Sequence, residues 1–149
     1  MKRLSFGLIL ASLLLAAPGI VSAEKKIIYP PEFKKHRPNM PFSPGVQVGD
    51  VLYVAGQTGS DLATGEYAQK FEDEVHATFK RISMILKDAG YDFSDVVDAK
   101  VYLTDIAMFR RMNAVYTSYF KADPPVRTTV AVASLVGKAR IEITVVAAK

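Results

Sequence analysis

Residues 71–103 read FEDEVHATFKRISMILKDAGYDFSDVVDAKVYL, and a change of period inside this run sets the architecture. Phe71, Val75, Phe79, Ile82, Ile85, Leu86 and Ala89 recur at spacings of three and four, which places them on one face of a helix. Glu72, Asp73 and Glu74 fill its first turn, where the positive end of the helix dipole favours acids, and Gly90 stands just past its end. From Val96 to Leu103 the residues become β-branched and partly alternating, the pattern of a strand. A one-sided helix followed by a half-alternating strand calls for a helix layer packed on a sheet.

Outward from that run the pattern extends in both directions. On the N-terminal side, Pro44–Gly56 reads PGVQVGDVLYVAG, two short apolar runs around a Gly49-Asp50 break, which predicts a β-hairpin. Between Gln57 and Gln69, Gly59, Asp61, Thr64 and Gly65 mark a loop. On the C-terminal side, Thr104-Asp105 can cap a second helix carrying Phe109, Met112, Tyr116 and Phe120, which Pro124-Pro125 ends. Strands are predicted over Thr128–Leu135 and Arg140–Ala147, joined by a turn around Gly137. The order is ββαβαββ, an α+β arrangement with both helices on one face of a mixed sheet. Val130, Val132, Ile141, Ile143 and Val145 alternate with residues that are scarcely polar, Thr129, Ala131, Val146 and Ala148, so both faces of the last strands read as partly buried. The chain has no spare helix for a third layer, which leaves subunit association to cover the second face.

The first residues carry a different signal. Lys2 and Arg3 precede an apolar run from Leu8 to Ala17, and Val21-Ser22-Ala23 stands just before Glu24-Lys25-Lys26, the three parts of a secretion signal cut after Ala23. Pro18 and Gly19 cut the apolar run to roughly half of the ~20 residues a spanning helix needs, so no stable membrane anchor is expected once it is removed. The expected mature chain, residues 24–149, is one domain in the periplasm or outside the cell. Its 17 basic residues stand against 15 acids, a net charge of +2. There is no cysteine, so neither a disulfide nor a cysteine-linked lipid can contribute. Lys25 to Pro38, basic and interrupted by prolines, reads as a solvated N-terminal arm.

The segments Val51-Leu52-Tyr53-Val54-Ala55-Gly56-Gln57, Asp95-Val96-Val97, Val101-Tyr102-Leu103-Thr104-Asp105, Phe109 with Met112-Asn113 and Tyr116, Pro125-Val126-Arg127-Thr128-Thr129-Val130 and Ile141-Glu142-Ile143 together resemble the Rid/YjgF family from about Lys26 to Ala147. The resemblance implies a chorismate-mutase-like α+β fold, a homotrimer with clefts at its subunit interfaces, and cofactor-free hydrolysis of small 2-imino or 2-enamino acids, such as 2-iminobutyrate, to 2-oxo acids and ammonia. It also implies roles. Arg127 matches the arginine that holds the substrate carboxylate, a task its planar fork suits through two parallel charge-assisted hydrogen bonds. Glu142 matches a cleft glutamate that helps place the attacking water. Asn113, Gly56, Phe42 and Thr129 match positions around the ligand. Phe42 stands where active members carry tyrosine, Ala55 where they carry serine, and Thr129 where many carry cysteine. The competing reading is a non-catalytic trimeric binder of small carboxylates in the cell envelope.

Other chemistries find little support. His36 and His76 are the only histidines and lie far apart, so no zinc spacing exists. Neither GxxxxGK nor GxGxxG occurs, which removes the usual phosphate cradles, and no GxSxG elbow presents a nucleophilic serine. The small net charge and the lack of an arginine-aromatic stripe argue against nucleic acid as a partner.

Overall fold

A computed structural model describes residues 23–149; the expected secretion signal lies outside the described residues. The strands are β1 (Lys25–Ile28), β2 (Gly45–Val48), β3 (Val51–Thr58), β4 (Val96–Leu103), β5 (Val126–Ala131) and β6 (Ile141–Ala148). The helices are α1 (Pro31–His36), α2 (Phe71–Asp88) and α3 (Phe109–Tyr119), with 3₁₀ turns at Phe93–Asp95 and Ile106–Met108. The sheet runs β1-β2-β3-β6-β4-β5. All neighbours are antiparallel except β4 and β5, which are parallel and joined through α3. The C-terminal strand is thus the centre of the sheet.

The predicted helix over 71–89 is α2, and its apolar face is the core: Phe71, Val75, Phe79, Ile82, Ile85 and Leu86 are buried. They pack on Leu52, Val101 and Ile143 and their neighbours, the helix-facing positions of β3, β4 and β6. Phe79 stacks on Tyr119 with ring centres 4.2 Å apart and meets Phe93, Tyr116 and Phe120 near edge-on, which fastens α2 to α3. Each such aromatic pair adds about 1 kcal/mol beyond its buried area.

Three expectations need correction. The segment from Lys25 to Pro38 is not a solvated arm: β1 extends the sheet and α1 buries Phe33 completely. Ile28 and Phe33 are too few to show a period, yet each fills a core position. The strand predicted over 128–135 is Val126–Ala131, because its only partner, β4, ends at Leu103. Val132 N–H still donates to the Leu103 carbonyl at 2.8 Å, and beyond it no ladder remains. The last strands are not equivalent either. β6 alternates strictly between buried and half-buried residues, whereas β5, at the edge, buries none.

Register assigns the other face of the sheet. Ile27, Val46, Tyr53, Val146, Asp98 and Val126 form one row across all six strands, and none of them points at a helix. Ile27, Val48, Tyr53, Val126 and Val130 on that face are exposed in the single chain, up to 70% for Val126.

A two-point contact ties the helices from outside: Arg111 Nε and Nη2 donate to the two oxygens of Glu72 at 2.7 and 2.9 Å. These bonds from Arg111 hold the Glu72 carboxyl down at about 2, against an ordinary 4.5. A carboxyl with a depressed pKa in the folded state contributes stability that is complete above the unfolded value and is lost as pH falls through the folded one. The unfolding temperature of Glu72→Gln should therefore fall less steeply than that of the parent between about pH 4.5 and 2; superimposable pH profiles would remove the pair from the stability of the fold.

Candidate functional site

Arg127 is the second residue of β5, set immediately after the Pro124-Pro125 break that stops α3 from continuing. It pairs with Ala99, which pairs with Val145; both are fully buried beneath the helices, so the Arg127 side chain projects on the helix face. There α3 receives it. Phe109, Asn113 and Tyr116, spaced i, i+4 and i+7, present one stripe toward the guanidinium. Its centre lies 4.4 Å above the Tyr116 ring and 5.6 Å from the Phe109 ring, and Nη1 donates to Asn113 Oδ1 at 2.9 Å. No carboxylate pairs with it among the described residues.

Two further polar atoms stand on this side. The hydroxyls of Tyr116 and of Thr129, two residues along β5 from Arg127, are buried without a hydrogen-bond partner among the described residues. Burial pushes the Tyr116 phenol up, and the neighbouring guanidinium opposes it. Unpaired buried hydroxyls are costly, about 1–3 kcal/mol each, and become satisfied when a ligand or water reaches them. Sequence patterning gave Phe109 and Tyr116 only as core positions of an amphipathic helix; their second use as a cradle for Arg127 follows from where β5 lies.

Glu142 belongs to a different cluster. Its neighbours Ile141 and Ile143 are fully buried, so alternation turns the carboxylate to the opposite face, in register with Tyr102 and Thr58. Between Val54 and Gln57 the β3 ladder shifts register, and Gly56 sits in that irregularity. A Cβ added at Gly56 would run into the Glu142 carboxylate, so the carboxylate rests directly on the glycine backbone and a side chain there would push it aside. The two line a cleft of about 840 Å³ together with Phe42, Ala55, Thr58 and Tyr67. Phe42 is about half exposed at its rim. Arg37 and Arg81 also line this cleft, and nothing in the sequence pattern had singled them out.

The six residues expected around one cleft therefore fall into two groups within the chain. Arg127, Asn113 and Thr129 gather on the helix side of β5. Glu142, Gly56 and Phe42 gather on the open face near the β3–β6 pair. Through β4, Arg127 is level with Val145 and Glu142 with Val130, so the two are two strands and three residues apart, roughly 14 Å in the sheet plane. They also point to opposite faces. One copy of the chain does not bring them together.

Residues 34–149 match the family described as endoribonuclease L-PSP. The chain is 45% identical over 117 residues to a RutC family protein of Saccharolobus solfataricus, covering 78% of this chain and 93% of that relative. It is 39% identical over 108 residues to the human 2-iminobutanoate/2-iminopropanoate deaminase, covering 72% of this chain and 79% of the human one. Among solved structures, RidA from the Antarctic bacterium Psychrobacter sp. superposes with a TM-score of 0.71 at 32% identity, covering 74% of this chain and 89% of that one.

Proposed function

The chain belongs to the endoribonuclease L-PSP family, the Rid/YjgF family, and on that footing we propose that it hydrolyses small 2-imino or 2-enamino acids to 2-oxo acids and ammonia, with Arg127 holding the substrate carboxylate. The observation that carries this reading is the state of Arg127: a guanidinium fixed by Asn113 and the Tyr116 ring, with no acid among the described residues paired to it. Its remaining donors are a fork suited to a carboxylate.

Catalysis then needs the second cluster, which a neighbouring copy supplies. The apolar open face, with Ile27, Val48, Tyr53, Val126 and Val130 exposed, supports association into a trimer whose clefts set Arg127 of one subunit against Glu142, Gly56 and Phe42 of the next. In such a cleft the substrate's protonated imine is its own electrophile. Glu142 accepts a proton as water attacks C2, giving a carbinolamine. It returns that proton to the nitrogen, then takes up the hydroxyl proton as the C–N bond breaks and the carbonyl forms, and the departing ammonia carries that proton away as ammonium. Water supplies the oxygen and ammonia carries off the nitrogen, so the step balances without a cofactor. The N-terminal leader supports a location in the periplasm or outside the cell.

Phe42 favours a second reading. With no hydroxyl at Phe42 and none at Ala55, this side of the cleft offers few polar contacts, as a non-catalytic binder of small carboxylates would. Glu142→Gln separates the two. For a deaminase, ammonia release from 2-iminobutyrate generated in situ should fall about 10²-fold in the variant, with 2-oxobutyrate still bound. A binder releases no extra ammonia even as the parent, and the variant changes nothing.

A further inference from the structure

Among the described residues, Arg81 is the one cation of the cleft that is half-buried and held entirely by neutral groups. It projects from the middle of α2, its Nε donating to Gln57 Oε1 at 3.2 Å and its Nη1 to the Ser60 carbonyl and hydroxyl at 3.3 and 2.8 Å. Gln57 and Ser60 are themselves buried, and Gln57 is held in turn by the Ala55 carbonyl at 2.9 Å. The guanidinium also lies 5.3 Å from the Phe33 ring centre. Its Nη2 has no acceptor among the described residues.

Of the three acids that line the neighbouring pocket beside Arg81, Glu66 is exposed to solvent and forms no ion pair among the described residues, and the other two are committed elsewhere. Asp61 accepts from Ala63 N–H and from the Thr64 N–H and hydroxyl, and Glu32 pairs with His36 at 3.5 Å. A second cation, Arg37, lines the same cleft and is anchored through its Nε to the Leu62 carbonyl at 3.5 Å. Burial lowers the affinity of Arg81 for its proton, and repulsion from Arg37 lowers it further. Two guanidinia against the single carboxylate of Glu142 leave the cleft with an excess positive charge. Proteins seldom keep a partly desolvated charge without a counter-charge, because taking an ion out of water is costly unless a partner compensates it.

We infer that the cleft takes a ligand with a second anionic group, a dicarboxylic 2-imino or 2-oxo acid whose distal carboxylate lies between Arg81 and Arg37. This rests on the proposed reading of the cleft, in which Arg127 of a neighbouring copy holds the first carboxylate. Arg81 is preorganised by Gln57 and Ser60, so a carboxylate arriving there gains a fixed partner at little cost in ordering. Arg37, exposed and on a longer reach, closes over it. The substrate class is thereby narrowed from small neutral imino acids to those derived from acidic amino acids.

Calorimetric titration of the purified protein with 2-oxoglutarate and, separately, 2-oxobutyrate tests this without requiring turnover. The expected result is affinity for 2-oxoglutarate at least about tenfold higher, with that ratio falling toward one in Arg81→Gln and by about threefold or more in Arg37→Gln. Arg37 is exposed, so its variant keeps the test meaningful even where loss of the Gln57 and Ser60 bonds unfolds Arg81→Gln. Equal affinity for the two acids, or a preference that survives both substitutions in folded protein, overturns the inference. A parent that shows the preference but deaminates neither 2-iminoglutarate nor 2-iminobutyrate upholds the subsite and defeats the deaminase reading. Deamination of 2-iminobutyrate with no dicarboxylate preference does the reverse.

Discussion

Arg127→Ala is expected to lower kcat/KM for imino acid hydrolysis by about 10³-fold while the unfolding temperature moves by no more than a few degrees. A carboxylate gripped by a guanidinium makes two charge-assisted hydrogen bonds, each worth about 1.5–3 kcal/mol, and roughly 4 kcal/mol corresponds to that factor. The fold loses little because Arg127 is half-exposed on an edge strand and has one hydrogen bond, to Asn113. Arg127→Lys should recover only part of the activity. Its ammonium can still sit over the Tyr116 ring, but it is a point charge and cannot present two parallel donors. Parallel assays of ammonia and 2-oxo acid release decide the matter. Parent-like kinetics in the alanine variant would place the carboxylate anchor elsewhere, with Arg81 the next residue to replace.

Glu74→Ala should cost about 3 kcal/mol of stability, a fall of about 10 °C in unfolding temperature. Glu74 reads in the sequence as one of three acids on the first turn of α2, a favourable but exposed place. In the structure it is fully buried. Its Oε1 accepts from the Arg140 N–H at 2.8 Å and its Oε2 from Arg140 Nε at 2.6 Å, while the other arms of Arg140 hold the Ala68 and Gln69 carbonyls. One carboxylate thus joins α2, the loop before it and the start of β6. Removing a partner from a buried pair typically costs 3–5 kcal/mol. The lower end applies because the Arg140 side chain is 30% exposed and can recover some hydration. For a chain of this size each kcal/mol moves the midpoint by roughly 3–5 °C. Thermal unfolding followed by circular dichroism measures it, and a shift under about 3 °C would mean that Arg140 finds another partner. Since Glu142 lies two residues beyond Arg140, Glu74→Ala should also loosen the cleft.

Gly59 shows how tightly this region is fitted. A Cβ there would approach the Glu74 carbonyl oxygen to 2.3 Å and its Cγ to 2.6 Å. The loop after β3 can lie on α2 only because that residue has no side chain. In the sequence the same glycine is one of several loop markers, indistinguishable from Gly65.

What local order requires was legible from residues 71–103 outward. A 3.6 period named the buried face of α2 almost residue for residue and Gly90 marked its end, whereas α3 stops at Tyr119, short of the Pro124-Pro125 limit the sequence set. The family motifs named the residues around the candidate site. Periodicity reports which face of an element is apolar, and a family pattern reports which side chains recur together. Neither reports what lies opposite.

That was decided by tertiary structure. The last strand to be made, β6, inserts between β3 and β4, and only its register there fixes Glu142 on the open face while Ala99 and Val145 fix Arg127 beneath the helices. Strand side chains alternate with a period of two, so the face a residue occupies depends on pairing with distant segments, such as Val51 with Ala148. Arg81 was invisible for a related reason: next to Lys80 it lies off the apolar face of the helix, and it becomes a half-buried, unneutralised cation only because the loop after β3 folds over it. Local pattern was enough for the elements between β2 and α3, for their buried faces and for the family; β1 and α1, the separation of the two halves of the site, and the charge left uncompensated in the cleft arose from contacts between distant segments that no local pattern encodes.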